Sequence, residues 1–310
     1  MTDKPAILIM QKLLGPIGLL LEQSYTVYRF WEGPPAEAAH NIRILMVVGE
    51  FELDKALIES LPNLGLIAVF TSGYDRVDVA WARGRGLKLS HAPATNHEEV
   101  ADMALGLLIG ARRQIVQGDR EIRAGEWIDG KKTLTHAMRG QKTGIVGLGL
   151  IGQDLAKRCE LLGMEVRWWG PRPKPDAAWP RADSLLDLAK WCDNLVITAK
   201  VDASNTGLIS RDVIEAVGPE GLIVNVSRGQ IIDEDAIIAA LKAGTLGAAA
   251  LDVFVEEPTP YERWRDVPNT ILTPHTAGAT TDSVQRMVAL LLQNLTAFLE
   301  DKPLVTPIPE

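Results

Sequence analysis

The sequence predicts an α/β protein whose parallel sheets are covered by helices on both faces. Short apolar segments alternate with helical stretches along the whole chain of 310 residues, which is typical of strand-helix-strand units. The segment 143–152 joins an apolar strand to a helix through a glycine-rich turn, and a further apolar strand follows at 164–169. A chain of this length accommodates two such domains. We therefore expect two α/β domains, one of them built around the glycine turn.

Composition narrows the classes of function. A hydrophobic content of 46% and a charged content of 23% are ordinary for a globular protein, and the net charge of −8, without a lysine or arginine block, argues against nucleic acid as a partner. No signal-like or bilayer-spanning segment is visible, so a cytoplasmic location without membrane attachment is the default expectation. Cys159 and Cys192 are isolated, and no histidine pair has ligand spacing, so no metal is expected.

The strand and helix patterns divide the chain at two places. Residues 1–95 read as a first domain with strands at 6–10, 42–48, 64–70 and 87–89. Asn96 resembles an N-cap for one helix running from Val100 to about Ile122, and Trp127 is the expected anchor of the irregular segment after it. The last helix, predicted over 281–300, could fold back on the first domain. The predicted division is therefore 1–95 plus 281–310 against 96–280.

The second of these domains contains the glycine turn and the larger predicted sheet. After the strand that enters the turn, strands are predicted at 164–169, 194–198, 221–226, 247–254 and 270–273. Helices are predicted at 153–162, 184–192, 211–217 and 234–243. Six mainly parallel strands suit a doubly wound sheet, so both domains are expected to be Rossmann-like or flavodoxin-like.

The glycine turn has the G-x-G-x-x-G spacing of a dinucleotide site. Gly147 would make the tight turn, Gly149 would let the backbone approach a pyrophosphate, and Gly152 would let helix and strand pack closely. The amides of Leu150 and Ile151 would then face the phosphates at the helix N-terminus. The pattern alone is weak, but its place between a strand and a helix favours a nucleotide cofactor.

The residue at the end of the second strand indicates which cofactor binds. A site for NAD(H) usually has an acidic residue there, which accepts hydrogen bonds from the ribose, but this chain has Gly170. Two cations follow, Arg172 and Lys174, where a 2′-phosphate would lie. The sequence therefore predicts a preference for NADP(H), with NAD(H) possible.

Three further strand ends carry groups that can do chemistry: Arg228, Glu257 and His275. Reduction of a 2-keto acid requires a cation for the carboxylate and carbonyl and a proton donor for the developing alkoxide. Glu257 is the natural partner of His275, because a nearby carboxylate orients an imidazole and favours its charged form. A histidine or arginine taken singly is often structural, but the three at one edge of a nucleotide-binding sheet predict an active site.

With these residues in view, the chain resembles the D-isomer-specific 2-hydroxyacid dehydrogenases, most closely the glyoxylate/hydroxypyruvate and hydroxyphenylpyruvate reductases. Besides the glycine turn, the resemblance is carried by Ser72-Gly73-Tyr74-Asp75, Glu99-Val100-Ala101-Asp102, Asn225 to Gly229 with Asp233-Glu234, Leu251 to Pro258, and Thr273 to His275. It implies a homodimer formed largely through the cofactor domain, with a cleft between two hinged domains.

The resemblance also implies roles for individual residues. Arg228 would hold the substrate's carboxylate and carbonyl, His275 would be the acid/base, and Glu257 would orient that histidine. The amides of the loop at Ser72 and Gly73 would meet the carboxylate, and Asp252 would lie near the nicotinamide carboxamide. The cofactor site would also include Val100, Ala199, His275 and Ala277. The chain departs from the family pattern at Leu150, where an arginine is common, at Gly170, and at 199–201, where a proline-containing loop is typical.

The sequence therefore predicts an NADPH-dependent reductase of small 2-keto acids, with glyoxylate or hydroxypyruvate as first candidates and arylpyruvates next. Two alternatives stay open. One is a nucleotide-sensing, corepressor-like dimer on the same fold, which would not need all three polar residues. The other is a phosphoglycerate-type dehydrogenase, which is less favoured because no regulatory domain follows in this sequence.

Overall fold

The computed structural model describes residues 4–34, 36–130, 133–202 and 204–309. The chain divides into two compact units, Met1–Thr95 with Thr281–Glu310, and Asn96–Thr280. The first unit is thus assembled from both ends of the chain. Within the described ranges, no helix combines the length and the hydropathy that crossing a bilayer requires.

The first unit is built on a five-stranded parallel sheet in the order β2-β1-β3-β4-β5. Its strands are β1 (Ala6–Ile9), β2 (Thr26–Arg29), β3 (Ile42–Val47), β4 (Leu66–Val69) and β5 (Lys88–Ser90). Helices cover both faces: α1 (Gly15–Leu21), α2 (Lys55–Glu59), α3 (Val79–Gly84) and α11 (Thr281–Leu299). Alternate residues of β1 enter two separate apolar clusters, Ile7 and Ile9 one and Leu8 the other, as in a sheet buried on both sides.

Strand β2 was not anticipated from the sequence. It lies at the edge of the sheet, and none of its residues is fully buried. An edge strand of this kind carries neither the continuous apolar run of a central strand nor a clean alternation, so its four residues give no recognisable pattern.

The second unit contains a six-stranded sheet in the order β11-β10-β9-β8-β6-β7, and every recorded pairing is parallel. Its strands are β6 (Lys142–Val146), β7 (Glu165–Trp169), β8 (Asn194–Ile197), β9 (Leu222–Asn225), β10 (Ala248–Leu251) and β11 (Thr270–Leu272). The prediction of doubly wound parallel sheets is confirmed. Strand order reverses between β6 and β8, and the carboxyl ends of strands at such a reversal are where α/β sheets bind ligands.

Two apolar clusters fill the second unit, one on each face of its sheet. The helices that cover the sheet are α4 (His97–Arg112), α6 (Leu150–Leu161), α7 (Leu185–Trp191), α8 (Arg211–Val217) and α9 (Glu234–Ala243). Two more, α5 (Ile115–Ala124) and the short α10 (Tyr261–Trp264), complete the unit.

The single helix predicted over 100–122 is wrong, because the structure contains two helices there. Gln114 adopts a left-handed conformation (φ 50°), so α4 ends and α5 begins around it. No glycine or proline marks the break, and the helical spacing of apolar residues continues across it. Arg112, near the end of α4, is buried and donates hydrogen bonds to Asn194 Oδ1 (2.6 Å) and the Glu220 carbonyl (2.7 Å).

Two local expectations also fail. Asn96 precedes α4 but its side chain accepts no hydrogen bond from the first turn, and it packs instead against Gly278. Trp127 is not an anchor, since 76% of it is exposed. Cys159 and Cys192 are buried, as expected, and burial raises the pKa of each thiol to about 12, so neither is a reactive thiolate near neutral pH.

Candidate active site

The glycine turn lies between β6 and α6, at the point where the strand order reverses. Gly147 has φ 93°, and a Cβ there would lie 2.6 Å from Ala199 Cα in the loop after β8. At Gly152 a Cβ would lie 2.2 Å from the Gly147 carbonyl oxygen, so the first turn of α6 packs directly on the glycine turn. Each of these close approaches requires a residue without a side chain.

Gly149, the middle glycine of the turn, faces open space. Helix α6 begins at Leu150, and a Cβ on Gly149 would meet no atom within 4 Å. The open space thus lies directly before the helix N-terminus, where the amides of Leu150 and Ile151 have no helical carbonyl to bind. A pyrophosphate group fits this arrangement of open space, N–H donors and the positive end of a helix dipole.

The end of β7 carries a cluster of cations. The side chain of Lys174 turns toward the glycine turn instead of the expected 2′-phosphate position. Its ammonium donates a hydrogen bond to the Leu148 carbonyl (2.5 Å). Arg172 is exposed. A third cation was not found from sequence: Arg181 donates to the Gly170 carbonyl, at 2.8 Å from Nη2, and comes from beyond the loop. Only the parallel bridge between Arg181 and Trp168 brings it there.

Three further residues were predicted to contact the cofactor: Val100, Ala199 and Ala277. They lie at the same edge of the sheet or in a helix that covers it. Ala199 follows β8 beside Gly147, and its carbonyl accepts a hydrogen bond from the Ser227 hydroxyl. Val100 is buried in α4, and Ala277 is buried in the loop after β11. Their positions are compatible with a nucleotide site, and their contact with a cofactor stays a prediction.

Arg228 follows β9 in a turn held by Asn225. The Asn225 side chain donates to the Arg228 carbonyl (2.9 Å) and accepts from the Ser227 N–H (3.0 Å). The guanidinium donates through Nη1 to the Ser227 carbonyl (2.8 Å), and Arg228 is half-buried. The asparagine therefore fixes the backbone from which this arginine projects.

Glu257 and His275 form a pair although 18 residues separate them along the chain. His275 Nδ1 lies 2.6 Å from Glu257 Oε2, and Glu257 Oε1 accepts the Phe254 N–H (2.8 Å). Burial alone raises the pKa of the Glu257 carboxyl, but the bonds from His275 and Phe254 and the nearby charge of Arg228 outweigh it, so this pKa is lowered. The glutamate therefore stays ionised beside the imidazole.

Asp252 builds the loop that carries His275. The carboxylate is fully buried at the end of β10 and accepts hydrogen bonds from Thr273 Oγ1 (2.5 Å), Thr276 N–H (3.0 Å) and Ala277 N–H (2.8 Å). His275 itself has φ 52°, a conformation that side chains rarely adopt. The observed contacts of Asp252 are thus within the protein, and its expected place near a nicotinamide carboxamide stays a prediction.

In the first unit, the loop at Ser72 and Gly73 follows the end of β4. The Thr71 hydroxyl donates to the Gly73 carbonyl and accepts the Gly49 N–H, both at 3.0 Å. His91 Nδ1 lies 3.0 Å from the Ser72 carbonyl. The loop is therefore fixed by side chains from its own unit, which leaves its conformation well defined.

The second unit thus unites a glycine turn suited to a dinucleotide with Arg228, Glu257 and His275 after neighbouring strands, which defines a dinucleotide-dependent oxidoreductase. The family model described as "D-isomer specific 2-hydroxyacid dehydrogenase, NAD binding domain" matches residues 105–277. The chain belongs to this family of dehydrogenases.

Two curated proteins and one solved structure show which members of the family this chain is similar to. The glyoxylate/hydroxypyruvate reductase A of Arabidopsis thaliana is 34% identical over 93% of this chain and 94% of its own length. The 2-ketogluconate reductase of Gluconobacter oxydans is 34% identical over 99% and 100%, respectively. The structure of the NADPH-dependent glyoxylate/hydroxypyruvate reductase of Sinorhizobium meliloti, in complex with NADP and malonate, covers 99% of this chain and 97% of its own with a TM-score of 0.90 and 32% identity. The chain is therefore similar over nearly its whole length to reductases of glyoxylate, hydroxypyruvate and 2-ketogluconate.

Proposed function

We propose that this protein reduces small 2-keto acids to D-2-hydroxy acids with NADPH, glyoxylate and hydroxypyruvate being the first candidates and arylpyruvates the next. The observation that carries the proposal is the 2.6 Å contact between His275 and Glu257 beside Arg228, at the same sheet edge as the glycine turn. The proposal is also supported by two similar proteins, a glyoxylate/hydroxypyruvate reductase and a 2-ketogluconate reductase.

Each of the three polar residues has a defined role in the proposed reaction. A bound nicotinamide supplies the hydride that the keto carbon receives. Arg228 holds the substrate's carboxylate and polarises its carbonyl. His275, held through Nδ1 by Glu257, donates a proton from Nε2 to the carbonyl oxygen as negative charge develops there. Glu257, whose pKa is lowered, is ionised and stabilises the imidazolium that acts as the acid.

One set of rates tests this proposal. Oxidation of NADPH and of NADH would be followed at 340 nm with glyoxylate, hydroxypyruvate, phenylpyruvate, 2-ketogluconate and pyruvate. We expect turnover of at least one of the first two substrates, with NADPH the more efficient cofactor. Tight NADPH binding without turnover of any keto acid would instead favour the nucleotide-sensing dimer.

The preference for NADPH depends on the cations after β7. Arg172→Ala should cost roughly 1.5–3 kcal/mol of NADPH binding, because it removes charge-assisted hydrogen bonds to a 2′-phosphate. NADH, which lacks that phosphate, should bind equally well to both forms. Dissociation constants for both cofactors, measured by fluorescence titration, check this.

The matched control is Lys190→Ala, which removes an exposed cation from α7 in the same unit. It should leave both constants unchanged. An equal loss of NADPH and NADH affinity in Arg172→Ala would contradict the proposed role.

We also propose that the protein is a homodimer that associates through the segment 115–134. Five large apolar side chains of this segment are more than half exposed: Ile115, Ile122, Trp127, Ile128 and Leu134. Exposed apolar surface of this extent commonly marks an interface, and the family resemblance places dimerisation on the cofactor domain.

Ile122→Glu should shift the protein from dimer to monomer, because it buries a charge in the proposed interface. Light scattering coupled to size exclusion measures the mass directly. Leu161→Glu changes a still more exposed leucine on α6, outside the segment, and should leave the mass unchanged. A wild-type protein that is already monomeric at micromolar concentration would refute the proposal.

A further inference from the structure

The loop that carries Glu257, residues 252–258, is held by the segment that follows Arg228. A Cβ on Gly229 would lie 1.9 Å from the Phe254 carbonyl carbon, so the two backbones are in direct contact. Gln230 Nε2 donates to the Val255 carbonyl (3.3 Å), and Glu234 Oε2 accepts the Val255 N–H (2.9 Å). The elements bearing Arg228 and Glu257 are thus joined by three adjacent contacts.

Glu234 is unusual because its acidic side chain is buried. It is the first residue of α9 and only 8% exposed, although ionised carboxylates are costly to bury without partners. Arg263 supplies the partner: its Nε donates to Glu234 Oε1, and its Nη2 donates to the exposed Asp235 (2.8 Å). The bond from Arg263 to Glu234 raises the pKa of the arginine, as expected of an ion pair. One carboxylate oxygen of Glu234 therefore has an ion-pair partner in Arg263, while the other accepts the Val255 N–H.

Two consecutive backbone N–H groups of the loop therefore donate hydrogen bonds to two different glutamates. The Phe254 N–H binds Glu257 Oε1, and the next N–H, that of Val255, binds Glu234 Oε2. Glu257 has its second oxygen on His275. Only the backbone of Phe254 separates these two N–H groups, and this backbone is in direct contact with Gly229, so a displacement of Val255 also shifts the N–H that binds the Glu257 carboxylate.

We propose that Glu234 is a positioning residue, which holds Val255 and thereby keeps the Glu257 carboxylate in the orientation that binds His275. This inference rests on the proposed function, in which His275 donates the proton. The charged groups near His275 in its own unit include Glu257 on this loop, Asp252 after β10, whose carbonyl accepts the His275 N–H, and Arg228 after β9, whose charge acts on Glu257. None of these is changed by replacing Glu234.

Two neutral variants separate position from charge. Glu234→Gln retains an oxygen that can accept the Val255 N–H, whereas Glu234→Ala removes it, and both lose the same charge. Asp235→Asn is the matched control, because it removes the other carboxylate bound to Arg263 without touching the loop. The imidazole of His275 would be titrated by NMR, with its signals assigned by their loss in His275→Gln among the protein's five histidines.

We expect the pKa of His275 to fall by about 0.5–1 unit in Glu234→Ala, because the imidazolium loses part of its contact with Glu257. It should return close to the wild-type value in Glu234→Gln and stay unchanged in Asp235→Asn. The basic limb of the kcat/KM profile for the best keto acid should move to lower pH by the same amount in Glu234→Ala, with kcat about 10-fold lower.

Equal shifts in the alanine and glutamine variants would indicate an effect of charge alone, and no shift in either would leave Glu234 a purely structural residue. Both results overturn the proposal. If Glu234→Ala does not fold, Glu234→Asp carries the same test, since it keeps the charge but is too short to reach Val255. The NMR titration requires no turnover, so an inactive wild-type protein whose His275 responds as expected would refute the proposed function and not this inference.

Discussion

Replacing His275 with glutamine should lower kcat for keto-acid reduction about 10²- to 10⁴-fold, while the dissociation constant of NADPH changes little. The proton that the imidazole donates is needed only as charge develops on the substrate oxygen, so the lost interaction belongs to the transition state. Glutamine retains a polar side chain of similar size, and the loop held by Asp252 does not depend on the imidazole. Steady-state rates and a cofactor titration measure the two quantities separately.

The pH dependence of the wild-type protein should follow from the same pair. The pKa of Glu257 is lowered, so the glutamate stays ionised through the ordinary titration range of a carboxyl group, and protonation removes its effect only at more acidic pH. Reduction requires protonated His275, so kcat/KM should fall as the pH rises through the titration of the imidazole. The profile should thus have a basic limb, and Glu257→Gln should move that limb to lower pH, because the imidazolium loses the charge of its partner.

The control for this prediction is His40→Gln, which removes an exposed histidine from the first unit. It should leave kcat and the pH profile unchanged. A His275→Gln protein with near wild-type kcat, or a wild-type profile that is flat through alkaline pH, would refute the acid role of His275.

Replacing Arg228 with glutamine should lower kcat/KM about 10²- to 10³-fold, with both kcat and KM affected. The guanidinium is proposed to bind the substrate's carboxylate in the ground state and the developing oxyanion in the transition state, so its loss acts on both parameters. The turn around it should persist, because Asn225 binds the Arg228 backbone and not its side chain. Guanidinium added in solution should restore part of the rate if the lost group acts as a bound cation.

Arg211→Gln is the matched control, since it removes an exposed arginine at the start of α8 in the same unit. Its kinetic constants should equal those of the wild type. Melting temperatures of both variants would show whether folding is affected. An Arg228→Gln protein that loses stability but keeps kcat/KM would reduce this arginine to a structural role.

The sheet of the second unit could be predicted well because the relevant information is local. Buried parallel strands are short apolar runs, and the three glycines stand at positions where a side chain would collide or fill open space. The pairing of Glu257 with His275 could also be proposed, because the carboxyl ends of parallel strands share one edge. Each of these inferences depends on a residue and its immediate chain neighbours.

The failures share a different cause. Gln114 ends a helix although it is neither a glycine nor a proline. Arg112 is buried because it binds carbonyls some 80 to 110 residues away in the chain. Lys174 binds the carbonyl of Leu148, which lies in the preceding strand-helix turn. Arg181 and Glu234 were missed because nothing adjacent to them in sequence indicates what they bind. Their partners, Gly170 and Val255, are 11 and 21 residues away.

The amino-acid sequence by itself determined the class of fold, the place of the nucleotide turn and the identity of the three groups proposed for the chemistry. These follow from periodicity and from residue types at strand ends, which are properties of neighbouring residues. Only the tertiary structure decided how those groups are held: the buried Asp252 under the His275 loop, and Glu234 against Val255. Such contacts join distant segments of the chain, and hydrogen bonds of this kind are selected by packing, which no local pattern records.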